Sequence, residues 1–248
     1  MIANLLIVPD FAPERFAGWH MLNTLLQKKA GINIHLETPA SAQEQTDTVS
    51  SQNIAFIYAN PFDAANLIRE HGYRAVARPI GKSDEMVISA KAEGAINQLE
   101  DLKPGCMIAL ADNRDVKLIG LRLLEAVDLG ENDINWQVTE TFQAAARALI
   151  KGEADAAFFL SEVYHGLSKM TLSQMKVLIE SDLSDISHVV LVKEDFAAAQ
   201  KFVEALLALN TSDEGKEVLQ ELGLPQGFEP MTEEDGEFMI DLMDTLLS

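Results

Sequence analysis

The stretch that decides the fold is Ile54-Ala55-Phe56-Ile57-Tyr58-Ala59-Asn60-Pro61. Its first six residues are apolar without polar alternation, the pattern of a strand that is covered on both faces. Asn60-Pro61 breaks the strand, and Phe62–His71 then has the spacing of a helix, with Gly72 just beyond its end. The stretch therefore predicts a buried strand that turns sharply into a helix.

The same order of elements continues on both sides of this stretch. Leu5–Val8 reads as a strand and the segment from Pro13 to Gly31 as a helix, while Ala156–Leu160 reads as a strand in the second half. From Asp195 onward the pattern is helical throughout. Alternation of this kind predicts an α/β fold with mostly parallel sheets, arranged as two small lobes on either side of about Ser83.

Composition excludes several classes of function. The 248 residues include 19 basic and 39 acidic side chains, a formal net charge of −20, and one cysteine. Such a chain is repelled by nucleic acid and by anionic membrane surfaces, and it cannot form an internal disulfide. Met1–Pro9 reads as a strand rather than a signal peptide, so we expect a cytoplasmic location, or a periplasmic one if an export signal has been removed.

The sequence contains no standard catalytic signature. It has no glycine-rich phosphate loop, no GxSxG elbow and no HExxH, and its five histidines do not have metal-ligand spacing. We therefore predict no catalytic residue, metal or cofactor. In open α/β sheets ligands bind beyond the carboxyl ends of strands, and polar or aromatic loops follow several predicted strands: Pro9–Phe11, Tyr58–Pro61, Asp112–Asp115, Glu140-Thr141 and Ser161-Glu162.

Several segments, in order, resemble the phosphate, phosphite and phosphonate-binding family of ABC-transporter solute receptors. The resemblance covers most of the chain and is carried by five segments: Ile7–Arg15, Ile54–Pro61, Ala95–Gly105, Ala144–Ala157 and Leu206–Gly223. It implies a type 2 periplasmic-binding-protein fold, with lobe one at residues 1–83 plus 187–248 and lobe two at 84–186. Two crossovers, near Ser83 and Ser184–Ser187, would form a hinge.

The resemblance also implies a ligand cleft between the lobes. The residues that we expect to bind ligand are Asp10, Phe11, Tyr58, Asn60, Asp63, Ser83, Asn113, Arg114, Thr141, Ser161 and Glu162. A helix N-cap is an equally reasonable role for several of the polar residues in these loops.

The chain departs from the family at the positions that hold the oxyanion. Phosphonate binders carry a turn similar to Ser-Thr-Ser-Gly after the first strand of lobe two, where this chain has Asp112-Asn113-Arg114-Asp115. The Ser and Tyr of the Gly-Pro-x-Ser-Tyr motif are replaced by Asp63 and Ala64. These acceptor-rich positions predict a cationic, zwitterionic or polar organic ligand rather than phosphonate itself.

Three functions fit these observations. The leading one is a non-catalytic solute-binding protein, a monomer or weak dimer, with an ABC permease as a partner. The second is a cytoplasmic enzyme on the same fold, of the menaquinone-futalosine or thiamine-pyrimidine type, with an acid or base among Asp10, Asp63, Asp112, Glu162 and His165. The third is a ligand-sensing or interaction module. Fold alone does not decide between them.

Overall fold

The computed structural model describes residues 2–9, 11, 13–182 and 186–247. It divides into two compact units. Unit 1 comprises Met1–Ser83 and Asp185–Thr245, and unit 2 comprises Asp84–Ser184 and Leu246–Ser248.

Strands and helices alternate through most of the described chain. The strands are β1 (Ile2–Ile7), β2 (Asn33–Glu37), β3 (Ile54–Ala59), β4 (Tyr73–Pro79), β5 (Met86–Lys91), β6 (Cys106–Ala111), β7 (Ile134–Thr139), β8 (Ala156–Leu160), β9 (Met175–Glu180), β10 (Val189–Lys193) and β11 (Phe228–Pro230). The helices are α1 (Phe16–Ala30), α2 (Ala42–Ser51), α3 (Pro61–His71), α4 (Arg114–Leu124), α5 (Phe142–Lys151), α6 (Ser161–Gly166), α7 (Lys169–Leu172), α8 (Ala199–Leu207), α9 (Asp213–Glu221) and α10 (Glu233–Leu247). The predicted α/β class is confirmed.

The sheet of unit 1 has the strand order β11-β4-β10-β3-β1-β2. β1 is parallel to β2 and β3, but β10 is antiparallel to both β3 and β4. Val189, the first residue of β10, pairs with Ala59, the last residue of β3. Because the chain enters the sheet at the edge where β3 ends, β10 must run back along it. The sheet is therefore mixed, where the sequence predicted a mostly parallel one.

β3 lies at the centre of the unit 1 core, as its apolar run predicts. All six of its residues are buried. Phe56 and Tyr58 belong to the layer that contains residues of α1 and α8, and Ile57 and Ala59 belong to the opposite layer with residues of α3 and α10. A strand that is covered on both faces needs apolar side chains on both, which explains the lack of alternation.

The sheet of unit 2 has the order β7-β6-β8-β5-β9 and is also mixed. β6 is parallel to β7 and β8, whereas β5 is antiparallel to β8 and β9. One edge of this sheet therefore collects the carboxyl ends of β6, β7, β8 and β9 together with the start of β5.

The prediction of continuous helix after Asp195 is wrong at β11. Phe228 and Glu229 pair with Pro79 and Arg78 at the edge of the unit 1 sheet. Arg78 Nε also donates a hydrogen bond to Glu229 Oε1 at 2.6 Å. A strand of three residues is too short to show periodicity, so pairing with β4 determines it rather than a local pattern.

Candidate functional site

The end of β3 in unit 1 carries an aromatic cluster. The ring of Tyr58 contacts the rings of Trp19 and His188, with centroid distances of 4.7 and 5.0 Å. Tyr58 pairs with Ile7 of β1 and with Val190 of β10, so the cluster lies near the edge where β1 and β3 end. All three rings are buried, and Tyr58 is therefore held in one orientation by its neighbours.

Phe11 extends this cluster after the end of β1. Its ring packs edge-to-face on Trp19 at a centroid distance of 6.1 Å. Phe11 is partly buried against the same core layer as Trp19 and Tyr58. The structure thus brings Phe11 and Tyr58, two of the predicted ligand-binding residues, together around Trp19.

Asn60 and Asp63 form the turn from β3 into α3. Asn60 Oδ1 accepts a hydrogen bond from the Asp63 amide at 2.8 Å and caps the helix. Asp63 Oδ2 accepts from Asn60 Nδ2 at 3.1 Å and from Gln45 Nε2 of α2 at 2.8 Å. Asp63 also lines a cavity of about 120 Å³ that is formed by residues of α2 and α3. The Asp63 side chain therefore contacts both Asn60 and α2, and Asn60 caps the helix end next to the aromatic cluster.

Two further residues of unit 1 were predicted to bind ligand, Asp10 and Ser83. Asp10 lies outside the described residues. Ser83 is the last residue of the first segment of unit 1, and it is partly buried.

The turn after β6 in unit 2 starts α4. Asn113 Oδ1 accepts a hydrogen bond from the Val116 amide at 2.9 Å and caps the helix. Arg114, the first residue of α4, is exposed, and Asp115 is buried at 2% exposure. Within the described part of the chain no carboxylate lies at salt-bridge distance from Arg114. Arg114 is therefore not paired with its neighbours Asp112 and Asp115, and its guanidinium is open to solvent.

Thr141 caps α5 after the end of β7. Its Oγ1 accepts a hydrogen bond from the Ala144 amide at 3.1 Å. Asn60, Asn113 and Thr141 thus all cap a helix that follows a strand. A capping side chain satisfies one free amide and leaves others at the helix N-terminus, so capping and ligand contact are compatible at these residues.

Ser161 joins the end of β8 to the end of β9 through a side-chain hydrogen bond. Its hydroxyl donates to Glu180 Oε1, and His165 Nε2 lies 3.0 Å from the same oxygen. The hydrogen bond from Ser161, with a further one from His165, lowers the pKa of the Glu180 carboxyl below its usual value. Glu162 follows Ser161 in the first turn of α6. This corner of unit 2 therefore holds an ionised carboxylate with two hydrogen-bonding neighbours.

The strand pairing gathers the predicted residues into one set in each unit. Asn113, Arg114, Thr141, Ser161 and Glu162 follow β6, β7 and β8, whose carboxyl ends lie at one edge of the unit 2 sheet. Phe11, Tyr58 and Asn60 lie at the corresponding edge in unit 1. The prediction that both sets line one cleft stays a prediction.

Two residues of these edges were missed from the sequence. Glu180 is the last residue of β9, so the rule that polar residues lie at the ends of strands could have found it. His188 immediately precedes β10, at the edge where β3 ends, and only the antiparallel pairing of β10 brings it onto Tyr58. That pairing has no local signal in the sequence.

Neither a metal-binding cluster nor a membrane-spanning helix is found among the described residues. No group of three or more His, Cys, Asp or Glu side chains among them could hold a metal ion. None of their helices is both long and apolar enough to pass through a membrane.

A family model described as "ABC transporter, phosphonate, periplasmic substrate-binding protein" matches residues 5–235. The match covers most of the 248 residues, and the chain belongs to this family of substrate-binding proteins. No curated protein matches the chain significantly by sequence.

Solved structures of the same class share the fold. PhnD1 from Prochlorococcus marinus, in complex with methylphosphonate, has a TM-score of 0.83 at 11% identity, over 99% of this chain and 98% of that one. A binding protein component of an ABC phosphonate transporter from Pseudomonas aeruginosa has a TM-score of 0.79 at 13% identity, over 98% and 86%. The periplasmic aliphatic sulphonate binding protein SsuA from Escherichia coli has a TM-score of 0.68 at 17% identity, over 98% and 92%.

These comparisons confirm the predicted resemblance and the type 2 periplasmic-binding-protein fold. Of the three functions that the sequence left open, the family match supports the solute-binding one. The matched family consists of periplasmic substrate-binding proteins of ABC transporters and not of enzymes. The chain is accordingly a substrate-binding protein of the phosphonate ABC-transporter family.

Proposed function

We propose that this protein is the receptor of an ABC importer and that it binds a small polar or ionic organic compound other than phosphonate. In unit 1 the ligand contacts are Phe11, Tyr58 and Asn60. In unit 2 they are Asn113, Arg114, Thr141 and Ser161. The chain belongs to a family of substrate-binding proteins. The observation that carries the proposal is that all of these residues lie at or just after the carboxyl ends of strands, where α/β sheets bind ligands.

The choice of ligand rests on the polar groups at these strand ends. Arg114 supplies an exposed cation at the start of α4, suited to a ligand carboxylate. The ionised Glu180 carboxylate lies beside Ser161 at the end of β9, where it repels an anion and attracts a cation. Both signs of charge are thus present in unit 2, and they favour a zwitterion or a polar cation over a phosphonate dianion.

The partner and the location follow from the same role. We propose that the ligand-loaded protein delivers its ligand to an ABC permease in the cytoplasmic membrane, and that it acts on the periplasmic side. The family description, a periplasmic substrate-binding protein of an ABC transporter, supports this proposal.

A thermal-shift screen tests the ligand class. The panel contains methylphosphonate and phosphate, amino-acid zwitterions, organic amines and nucleosides. A ligand at a hundredfold excess over its Kd stabilises the folded protein by about 2.7 kcal/mol. We expect a zwitterion or an amine to raise Tm most, and calorimetry then gives its Kd.

Two results would contradict the proposal in different ways. Methylphosphonate or phosphate as the strongest stabiliser would reject the ligand class and keep the receptor role. A panel that leaves Tm unchanged throughout, followed by native mass spectrometry without a bound small molecule, would reject the receptor role.

A further inference from the structure

The hydroxyl of Ser161 and the carboxylate of Glu180 meet across the start of β5. Met86 of β5 pairs with Leu160, and Val87 pairs with Glu180 on the other side. The Ser161 amide donates to Glu85 O at 2.8 Å, which fixes the first residue of α6 against β5. Main-chain pairing on both sides of β5 therefore positions Ser161 and Glu180 for their side-chain hydrogen bond.

The direction of that hydrogen bond follows from the chemistry of its partners. A serine hydroxyl has one hydrogen and two lone pairs, whereas an ionised carboxylate can only accept. Ser161 is therefore the donor, and its single hydrogen points to Glu180 Oε1. What Ser161 Oγ can offer to any other molecule is a lone pair.

His165 is constrained in the same way. It lies one helical turn after Ser161 in α6, and its Nε2 is 3.0 and 3.3 Å from the two carboxylate oxygens of Glu180. An acceptor-only partner requires that Nε2 carries the hydrogen. Glu180 thus accepts a hydrogen bond from each of these two neighbours. Neither donor hydrogen is available to an incoming oxyanion.

We propose that Glu180 is a positioning residue that sets the ligand class by turning the Ser161 hydroxyl into a hydrogen-bond acceptor. Ser161 then favours a ligand group that carries N–H or O–H and disfavours a deprotonated phosphonate, which needs donors. This inference rests on the proposed function, because it assumes that Ser161 contacts the ligand.

The test measures methylphosphonate binding by calorimetry in Glu180→Ala and in a matched control, Glu153→Ala. Glu153 is an exposed acid just before β8, and its only ion pair in the described residues is a 3.8 Å contact with Lys151. Both variants lose one negative charge, but only Glu180→Ala frees the Ser161 hydrogen. We expect Glu180→Ala to bind methylphosphonate roughly tenfold or more tightly than the control, as for one hydrogen bond to a charged group.

A second comparison separates an effect through Ser161 from a change of structure. The gain in Glu180→Ala should disappear in the double variant Ser161→Ala/Glu180→Ala, because no hydroxyl remains to donate. If Glu180→Ala is too unstable to purify, Glu180→Leu against Glu153→Leu gives the same comparison with a larger side chain that cannot accept a hydrogen bond.

The inference is overturned if Glu180→Ala and Glu153→Ala bind methylphosphonate equally, including no binding by either. It is also overturned if the gain persists without Ser161. Either result, with a ligand found for the wild type in the thermal-shift screen, rejects the role of Glu180 and leaves the receptor function standing. A wild type without any small-molecule ligand rejects the receptor function itself.

Discussion

Arg114 is the residue at which ligand binding and local structure are most easily separated. It is exposed, and the described residues place no carboxylate at salt-bridge distance from it. The neighbouring Asn113 provides the helix cap, so α4 does not depend on the arginine side chain. A change at Arg114 should therefore affect binding and leave the free energy of unfolding nearly unchanged.

We expect Arg114→Ala to weaken binding of the compound identified by the thermal-shift screen by about 1.5–3 kcal/mol, the value of a hydrogen bond to a charged group. Arg114→Lys should restore part of the loss, because it keeps the charge and loses the planar fork. Calorimetry measures both, with Arg147→Ala, an exposed arginine in the middle of α5, as the control. Equal Kd values for wild type and Arg114→Ala would remove Arg114 from the site.

At the residue scale, prediction from sequence succeeded where the role of a residue depends on its position along the chain. Asn60, Asn113 and Thr141 each stand within two residues of the end of a strand, and each caps the next helix. Prediction failed where the partner is distant in sequence. The contact between Ser161 and Glu180 spans 19 positions and depends on β5 lying between their strands.

At the scale of elements, α4 is seated on its sheet through a glycine. A Cβ built on Gly120 would lie 2.2 Å from the ring of Phe158 in β8. In α10, a Cβ on Gly236 would meet only the Cβ of Ala75, at 3.9 Å. Close packing therefore excludes a larger side chain at Gly120, whereas the structure has room for one at Gly236.

We expect Gly120→Ala to destabilise the protein by about 1–3 kcal/mol through overpacking. We expect Gly236→Ala to stabilise it by about 0.5–1 kcal/mol, because glycine is unfavourable inside a helix. Urea unfolding of the two variants and the wild type measures both changes. If Gly120→Ala does not lower the midpoint, the packing described for α4 is incorrect, and if Gly236→Ala lowers it, the open surroundings described for Gly236 are incorrect.

Strands and helices were predictable from sequence where they are long enough to show a hydrophobic pattern. β3 and β8 carry continuous apolar runs and were found, because burial on both faces demands such runs. β11 was missed because three residues carry no period, and the order of strands within each sheet was missed because pairing is decided by tertiary contacts.

At the scale of the whole molecule, the net charge of −20 opposes folding. Raising NaCl from about 10 mM to about 150 mM shortens the Debye length from about 30 Å to about 8 Å and screens this self-repulsion. We therefore expect Tm at neutral pH to rise with salt. Near the sequence pI of about 4.5 the net charge is small, and the same salt step should change Tm little. A Tm that is independent of salt at neutral pH would contradict this account.

The two tryptophans are divided between the units, with Trp19 in unit 1 and Trp136 in unit 2. Trp19 is 3% exposed beside Tyr58, whereas Trp136 has the Lys117 ammonium 4.9 Å from its ring centroid. Each unit thus contains its own fluorophore in a distinct environment. In the variant Trp136→Phe the tryptophan fluorescence comes only from unit 1, and in Trp19→Phe it comes only from unit 2. Coincident denaturation curves then mean that the chain melts as one cooperative body, and displaced curves mean that it melts as two.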